Sequence, residues 1–376
     1  MVPPNWGYVW GHSDDPRIVR AHQWTDALRS ARPTVVESPA GGDGVALAYA
    51  GLPDGLTHVL PFLEERRGPA GNRRSRTTTW TAIAKGHAAP EADILAAGCL
   101  PGRAAALPRE RSLLLPFRVN LVVPATADPA AAQRRLSRKA RQQYAREQRR
   151  LARTFEVAAD EADFDFFYDR MHAPTMRRRH GDAARSVDRE TARRCLFGRG
   201  VLFFLCEEGT RVAGLLCRRE PGSLTIRLAG VLDGADRLYQ SGTYLALYVL
   251  TIEWASRNGV ATVDLSGCEP FLSKGIFQFK RKLHPQIVPP KNHFARKRLW
   301  LHVRRDRPAV RDFLVANPLL LPADGGGLTA LYFHDRDRPA QLGLRWQCPG
   351  VAGHLLADLD AFFAGEWRAE RFASEW

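Results

Sequence analysis

Side chains able to do chemistry lie on two predicted helices. Ser241, Gly242 and Thr243 open one helix, where backbone N–H groups and the helix dipole converge on an anionic or carbonyl group. Tyr168 and His172 lie four residues apart and so share one face of the other helix. His172 could act as a base near neutral pH. Each set also has a purely structural interpretation. Ser241, Gly242 and Thr243 could simply cap the helix, and His172 could be a packed histidine. No Ser-His-Asp arrangement or GxSxG elbow is recognisable.

The elements around these residues predict an α/β fold of the α+β kind. Residues 201–206, 212–217 and 223–231 read as three antiparallel strands, the first two joined by a Glu-Gly turn. A helix over 242–256 ends at Asn-Gly, and a short apolar strand follows at 261–265. This order predicts a mixed sheet with a helix on one face and a ligand at the opening of that helix.

This arrangement resembles the GNAT acyltransferase superfamily and, within it, the Fem-type (FemAB/FemX) peptidyltransferases. The resemblance covers roughly residues 118–290 and implies tandem GNAT-like units, each a mixed, mostly antiparallel sheet flanked by helices. It is carried by a basic helix at 136–150 leading into a strand at 155–157, by 166–175 with the Arg-rich 177–181, and by 263–267 with 275–282.

The resemblance implies a catalytic pair late in the chain. A Phe-Lys pair in this position is tied to catalysis in Fem-type enzymes, and Phe279-Lys280 is similar to it. The Lys280 ammonium could stabilise an oxyanion or hold a phosphate, and Phe279 could wall the acyl pocket. Asp264, on the strand before it, could accept the proton of an attacking amine. Each residue also has a structural alternative. Lys280 could be a surface lysine, and Asp264 could be a carboxylate that caps the next turn.

The resemblance also places the two substrates. The helix with Tyr168 and His172 would line the acceptor side. The donor would bind at five consecutive residues, Tyr239, Gln240, Ser241, Gly242 and Thr243. This turn departs from the glycine-rich RxxGxG/A-type loop of acetyl-CoA users, because it lacks the second glycine and the arginine in place, which disfavours a coenzyme A donor.

Positive charge is concentrated on the predicted basic helix. The chain carries a net charge of +15 and a pI near 10.1. Its surface should therefore attract polyanions. We expect Arg135, Arg138, Lys139 and Arg146 to dock tRNA or an acidic acyl carrier protein, although a solvated helix face is the plainer interpretation.

The cysteines and the N-terminus suggest where the protein works. The six cysteines are scattered without a CxxC pair, so we expect reduced buried thiols, including Cys268, and no metal site. No signal peptide or membrane span is predicted, and we expect a cytoplasmic protein.

Four segments are predicted along the chain. Residues 1–118 would form a degenerate N-terminal GNAT-like unit, 119–153 a strand and basic linker helix, 154–290 the catalytic unit, and 291–376 an extension packing back on the first unit. Within them we predict one long strand at 113–123 and an amphipathic helix at 353–367.

Three hypotheses follow for function. The first is an acyltransferase that forms an amide from an aminoacyl or acyl group and a small amine acceptor, with cell-wall or natural-product biosynthesis as the expected setting. Its donor would be aminoacyl-tRNA or, next, a phosphopantetheinyl carrier protein, with no separate cofactor. The second is an acyl-CoA-dependent N-acyltransferase, and the third a non-catalytic RNA-binding GNAT-like protein.

Overall fold

A computed structural model describes residues 5–68, 71–181, 186–323 and 326–367. Within it the chain divides into two compact units. The first comprises Met1–Trp10, Asn120–Ser266 and Lys280–Gln286, and the second Gly11–Val119, Gly267–Phe279 and Ile287–Trp376. Among the described residues, no helix has both the length and the apolar character needed to cross a membrane.

The helices and strands follow one another along both units. The α-helices are α1 (Trp6–His12), α2 (Pro16–Arg29), α3 (Asp54–His58), α4 (Leu60–Arg67), α5 (Trp80–Ala84), α6 (Pro101–Ala104), α7 (Ala131–Arg134), α8 (Arg138–Arg150), α9 (Glu161–Phe167), α10 (Ala173–His180), α11 (Arg189–Thr191), α12 (Asp236–Gln240), α13 (Thr243–Arg257), α14 (Gly275–Arg281), α15 (Pro308–Ala316) and α16 (Leu359–Ala364). The strands are β1 (Thr34–Ser38), β2 (Leu47–Gly51), β3 (Arg74–Thr77), β4 (Ile94–Cys99), β5 (Ser112–Pro116), β6 (Val119–Pro124), β7 (Thr154–Val157), β8 (Gly200–Glu207), β9 (Thr210–Glu220), β10 (Ser223–Val231), β11 (Thr262–Cys268), β12 (Gln286–Val288), β13 (Arg298–Val303), β14 (Leu319–Pro322), β15 (Leu328–His334) and β16 (Val351–Asp358).

The sheet of the first unit confirms the predicted strand order. Its strands are arranged β12-β6-β11-β10-β9-β8-β7. β8 pairs antiparallel with β9, β9 with β10, and β11 runs parallel to β10 with Asp264 opposite Thr225. A parallel pair needs a crossover connection, which α13 supplies. The mixed α/β fold class is therefore the one that the sequence predicted.

One face of this sheet is covered by a helix with an inserted π-turn. α9 continues through a π-helical turn at Tyr168–His172 into α10. Its apolar side buries Phe164, Phe167 and Met171 against the strands. The approach is close enough that a Cβ on Gly230 would lie 2.5 Å from the carbonyl carbon of Met171. Only a glycine fits beneath the π-turn, a type of helix bulge frequent at functional sites.

The second unit contains two further sheets. One is ordered β3-β1-β2-β4-β13-β5, and the other β14-β15-β16. β13 lies between β4 and β5 and is antiparallel to both, so residues late in the chain complete a sheet begun at Thr34. The apolar core of this unit includes Tyr49, Phe117 and Phe333.

Two sequence-based predictions of elements were wrong. The apolar run 113–123 is two strands in different sheets, β5 and β6, because the chain bends after Pro116. Residues 353–367 do not form one helix. Their first part belongs to β16, which pairs with β15, and the helix α16 is short. The leucines at 355 and 356 that suggested a helical stripe are half exposed, at 49% and 51%.

Candidate active site

Two of the predicted catalytic residues converge on the backbone of Ser266. The Asp264 Oδ1 atom accepts a hydrogen bond of 2.8 Å from the Ser266 N–H. The Lys280 Nζ atom donates one of 3.0 Å to the Ser266 carbonyl oxygen. Ser266 has a φ of 66°, a left-handed conformation that is uncommon for a residue other than glycine. Its hydroxyl donates to the carbonyl of Ile226 on the neighbouring strand. The two side chains and this hydroxyl together hold Ser266 in its unfavourable conformation.

The Asp264 carboxylate is a candidate proton acceptor. Its Oδ2 atom accepts a hydrogen bond of 2.9 Å from Asn120 Nδ2. Burial raises its pKa above the usual value for an aspartic acid, although the hydrogen bonds from Ser266 and Asn120 and the charge of Lys280 oppose the rise. A carboxyl group with a raised pKa is better suited to take a proton from an amine. The hydrogen bond to Ser266 also shows that Asp264 caps the next turn, which is the structural alternative.

Lys280 is not a surface lysine. It lies in the last turn of α14 and is 4% exposed. An ammonium group this deeply buried must be paired or hydrogen-bonded, and its bond to Ser266 is one such contact. The neighbouring Phe279 is half-buried.

The predicted donor-binding turn is more elaborate than the sequence indicated. Between β10 and α13 lie a 3-10 turn and the short helix α12. Gly242 caps α13 in the left-handed conformation with a φ of 74°, and the hydroxyls of Ser241 and Thr243 share a hydrogen bond of 2.8 Å. Gln240 is exposed, and the Tyr239 ring packs 3.9 Å beneath the guanidinium of Arg179.

A carboxylate of the protein lies against this turn. The Glu147 Oε2 atom is 2.6 Å from the point that a Cβ on Gly242 would occupy. Glu147 is 8% exposed and is held by Gln143 at 2.9 Å and by Arg153 at 3.5 Å. The Arg153 side chain is fully buried and also donates to Glu207 at 2.9 Å. Arg153 balances the charge of Glu147 and also donates to the Ser241 carbonyl at 3.3 Å, so a phosphate at the start of α13 would have to displace a paired carboxylate.

His172 is a packed histidine. It is 2% exposed, and its Nδ1 atom lies 2.9 Å from the Ala229 carbonyl, so Nδ1 carries the proton. The Nε2 atom lies 2.5 Å from the hydroxyl of Ser186. Burial lowers the pKa of His172 below its usual range, which keeps the ring neutral. The Tyr168 hydroxyl also has a hydrogen-bond partner, since it donates to the Val187 carbonyl at 2.9 Å. The two rings share a helix face, as predicted, with centroids 5.5 Å apart.

The predicted docking residues differ in exposure. Arg138, Lys139 and Arg146 are exposed on α8. Arg135 precedes that helix, is half-buried, and donates to the Pro124 carbonyl at 3.1 Å. Arg135 therefore contributes to local structure, whereas the other three present free side-chain surface.

A buried polar cluster in the second unit escaped the sequence analysis. The Asp26 Oδ2 atom lies 3.1 Å from His22 Nδ1 and 2.9 Å from Lys297 Nζ, and Lys297 also pairs with Asp54 at 2.7 Å. The His22 and His293 rings stack with centroids 3.8 Å apart. Asp26, His22 and His293 could hold a metal ion, but Lys297 already supplies positive charge to the carboxylate. The spacing of four between His22 and Asp26 was the available signal. The six cysteines are all buried, as predicted.

One comparison with known proteins bears on this part of the chain. Residues 138–281 match the family model described as an acetyltransferase (GNAT) domain. This segment contains α8, the sheet strands from β7 to β11, Asp264 and Lys280. The match, together with the mixed sheet, supports a GNAT acyltransferase. No curated protein matches the chain.

Similar solved structures include an L-PGS from Bacillus licheniformis, which is 13% identical with a TM-score of 0.36 and covers 81% of this chain and 96% of that one. FemX is 12% identical with a TM-score of 0.40, covering 69% of this chain and 81% of that one. A third is the C-terminal domain of a putative lysylphosphatidylglycerol synthetase from Agrobacterium fabrum, 13% identical with a TM-score of 0.35 and covering 82% and 93%. Likenesses this distant do not identify a substrate.

Proposed function

We propose that the chain is an amide-forming acyltransferase that takes an aminoacyl group from aminoacyl-tRNA and transfers it to a small amine acceptor. The observation that carries the choice of donor is the two-sided character of α8. Its inner face places Glu147 against the helix start where the pyrophosphate of coenzyme A would be expected to bind. Its outer face exposes Arg138, Lys139 and Arg146, which suit a polyanion.

The proposed reaction needs positioning and charge stabilisation more than a nucleophile. The acceptor amine attacks the carbonyl carbon of the aminoacyl ester, and the carbonyl oxygen becomes an oxyanion. Lys280 would stabilise this negative charge, and Asp264 would take the proton that the amine loses. Collapse of the tetrahedral intermediate breaks the ester bond, and the departing ribose oxygen gains a proton. Fixing the two substrates together supplies much of the acceleration.

The identity of the donor is testable directly. The purified protein is incubated with a pool of charged tRNA and candidate amines, and products are analysed by mass spectrometry. We expect amide products whose formation is abolished by pretreating the donor with ribonuclease. Turnover of acyl carrier protein thioesters alone would assign the donor to the carrier class instead.

A coenzyme A thioester is the second candidate donor, because the matched family model is that of an acetyltransferase. It predicts activity that is insensitive to ribonuclease and saturable with acyl-CoA. The position of Glu147 argues against it, since a phosphate at Gly242 would have to displace that carboxylate.

A further inference from the structure

An open groove runs along the outer face of α2 in the second unit. One wall is formed by residues spaced as a helical stripe, and the other by two residues that follow Phe294. The groove has a volume of about 490 Å³ and is lined by Pro16, Val19, Arg20, Gln23, Trp24, Ala295 and Arg296.

Buried contacts connect the two walls of the groove on the side that faces the protein interior. Asp26 on α2 forms a buried ion pair of 2.9 Å with Lys297, the residue next to Arg296. The His22 and His293 rings stack between the same two segments. His22 and Asp26 lie on the buried side of α2 and anchor the helix to the protein. Trp24 lies on the outer side of this anchored helix. The groove is therefore preorganised, which reduces the entropic cost of binding.

The lining of the groove combines an aromatic surface with positive charge. Trp24 is 69% exposed. Arg20 and Arg296 are also exposed, and within the described ranges neither forms an ion pair with a carboxylate. A second copy of the chain would be repelled, because both arginines and the net charge of +15 have the same sign. The groove fits a ligand that has flat rings and negative charges.

We propose that this groove binds single-stranded RNA, with a base stacked on Trp24 and phosphates on Arg20 and Arg296. Aromatic stacking with adjacent cations is the usual means of binding unpaired nucleic acid without reading its sequence. The inference rests on the proposed function, since a tRNA donor contains unpaired nucleotides of the kind that such a groove would hold.

The test uses the full chain and a fluorescein-labelled tetraribonucleotide of sequence ACCA, with binding followed by anisotropy. Trp24→Ala is expected to raise the Kd about 5- to 150-fold, and Trp24→Phe to retain most of the affinity. Trp6→Ala is the matched control, because Trp6 is 73% exposed but does not line the groove. Reversing Arg20 and Arg296 together should flatten the salt dependence by about 0.7 for each lost phosphate contact.

Several outcomes would overturn the groove assignment. Wild-type affinity in Trp24→Ala, or an equal loss in Trp6→Ala, would show that stacking on Trp24 contributes nothing. Equal binding of a blunt RNA duplex of the same charge would show that the contact is electrostatic only. If Trp24→Ala spares the RNA but weakens an acidic carrier protein, the occupant is a protein.

Failure of the groove and failure of the proposed function can be told apart. Trp24-dependent binding of the oligonucleotide in a protein that does not use charged tRNA supports the groove and rejects the function. Transfer from charged tRNA with an unchanged KM in Trp24→Ala supports the function and rejects the groove. A KM for charged tRNA that rises in Trp24→Ala, at constant kcat, supports both.

Discussion

Asp264 and Lys280 hold opposite ends of one residue, Ser266, from two elements that are adjacent in sequence. The carboxylate accepts a hydrogen bond of 2.8 Å from the Ser266 N–H, and the ammonium donates one of 3.0 Å to the Ser266 carbonyl oxygen. A residue fixed at both ends in the left-handed region keeps the end of β11 from relaxing to a regular strand. The same two contacts hold a carboxylate and a cation near Ser266, and these are the two groups that the proposed reaction uses.

Replacing Lys280 with alanine should lower turnover by at least about 100-fold, because the oxyanion loses its charged donor. The exposed Lys282→Ala variant changes the net charge equally and should keep wild-type turnover. The Ser266 carbonyl loses a partner as well, so the free energy of unfolding should fall by about 1–3 kcal/mol. Circular dichroism would establish that the variant is folded. A folded Lys280→Ala protein that turns over at the wild-type rate would remove Lys280 from the mechanism.

Asp264→Asn should abolish the acidic limb of the pH–rate profile. The raised pKa of Asp264 places that limb above the ordinary value of 3.8, and activity should rise as the carboxyl ionises. Because folding raises this pKa, the ionised form is less favourable in the folded protein. The contribution of Asp264 to the free energy of unfolding therefore decreases as pH rises from 3.8 through the raised pKa. Asparagine keeps an acceptor for the Ser266 N–H, so the fold should persist. An acidic limb that survives in Asp264→Asn would point to another base.

His172→Gln should affect stability and its pH dependence without introducing or removing a limb in the activity profile. The folded-state pKa lies below 6.5, so below pH 6.5 the unfolded chain takes up a proton that the folded protein does not. The stability due to His172 is thus lost as pH falls from 6.5 towards the lowered pKa. We expect the stability advantage of the wild type over the variant, from urea denaturation, to shrink below pH 6.5. An advantage that grows on acidification would show that His172 is protonated in the folded state.

The sequence predicted the strands from β8 to β11 well, because β8, β9 and β10 are joined by two-residue turns and the crossover helix α13 leads to β11. The pattern from β8 to β11 is local, and each turn has its own glycine or asparagine signal. The prediction of a single strand over residues 113–123 was wrong for the opposite reason. Alternation and apolar content show that residues are extended, but not that the strand ends at Pro116 and restarts in another sheet.

Contacts between distant residues account for what the sequence could not show at the site. The approach of Glu147 to Gly242, 95 positions later, is not encoded in either neighbourhood. In the sequence, Glu147 is a single acidic residue in a strongly basic helix, and nothing beside it indicates that it is buried. Its burial beside Arg153 gives α8 an inner face that differs from the exposed basic face. The β16 strand was likewise fixed by its parallel partner β15, which propensity alone does not reveal.

The final prediction concerns the exposed face of α8. Reversing Arg138, Lys139 and Arg146 to glutamate should weaken binding of charged tRNA while leaving kcat on a minimal aminoacyl-ester donor unchanged. Each lost phosphate contact should reduce the slope of log affinity against log salt by about 0.7 to 0.9. A control that reverses three exposed cations off α8, Lys85, Arg199 and Arg336, makes the same change in net charge and should have a smaller effect. An acidic carrier protein would show a shallower salt dependence, since charges at the rim of a protein interface act mainly on the association rate. Equal losses in the two triple variants would mean that the overall charge attracts the donor and that α8 is not a docking site.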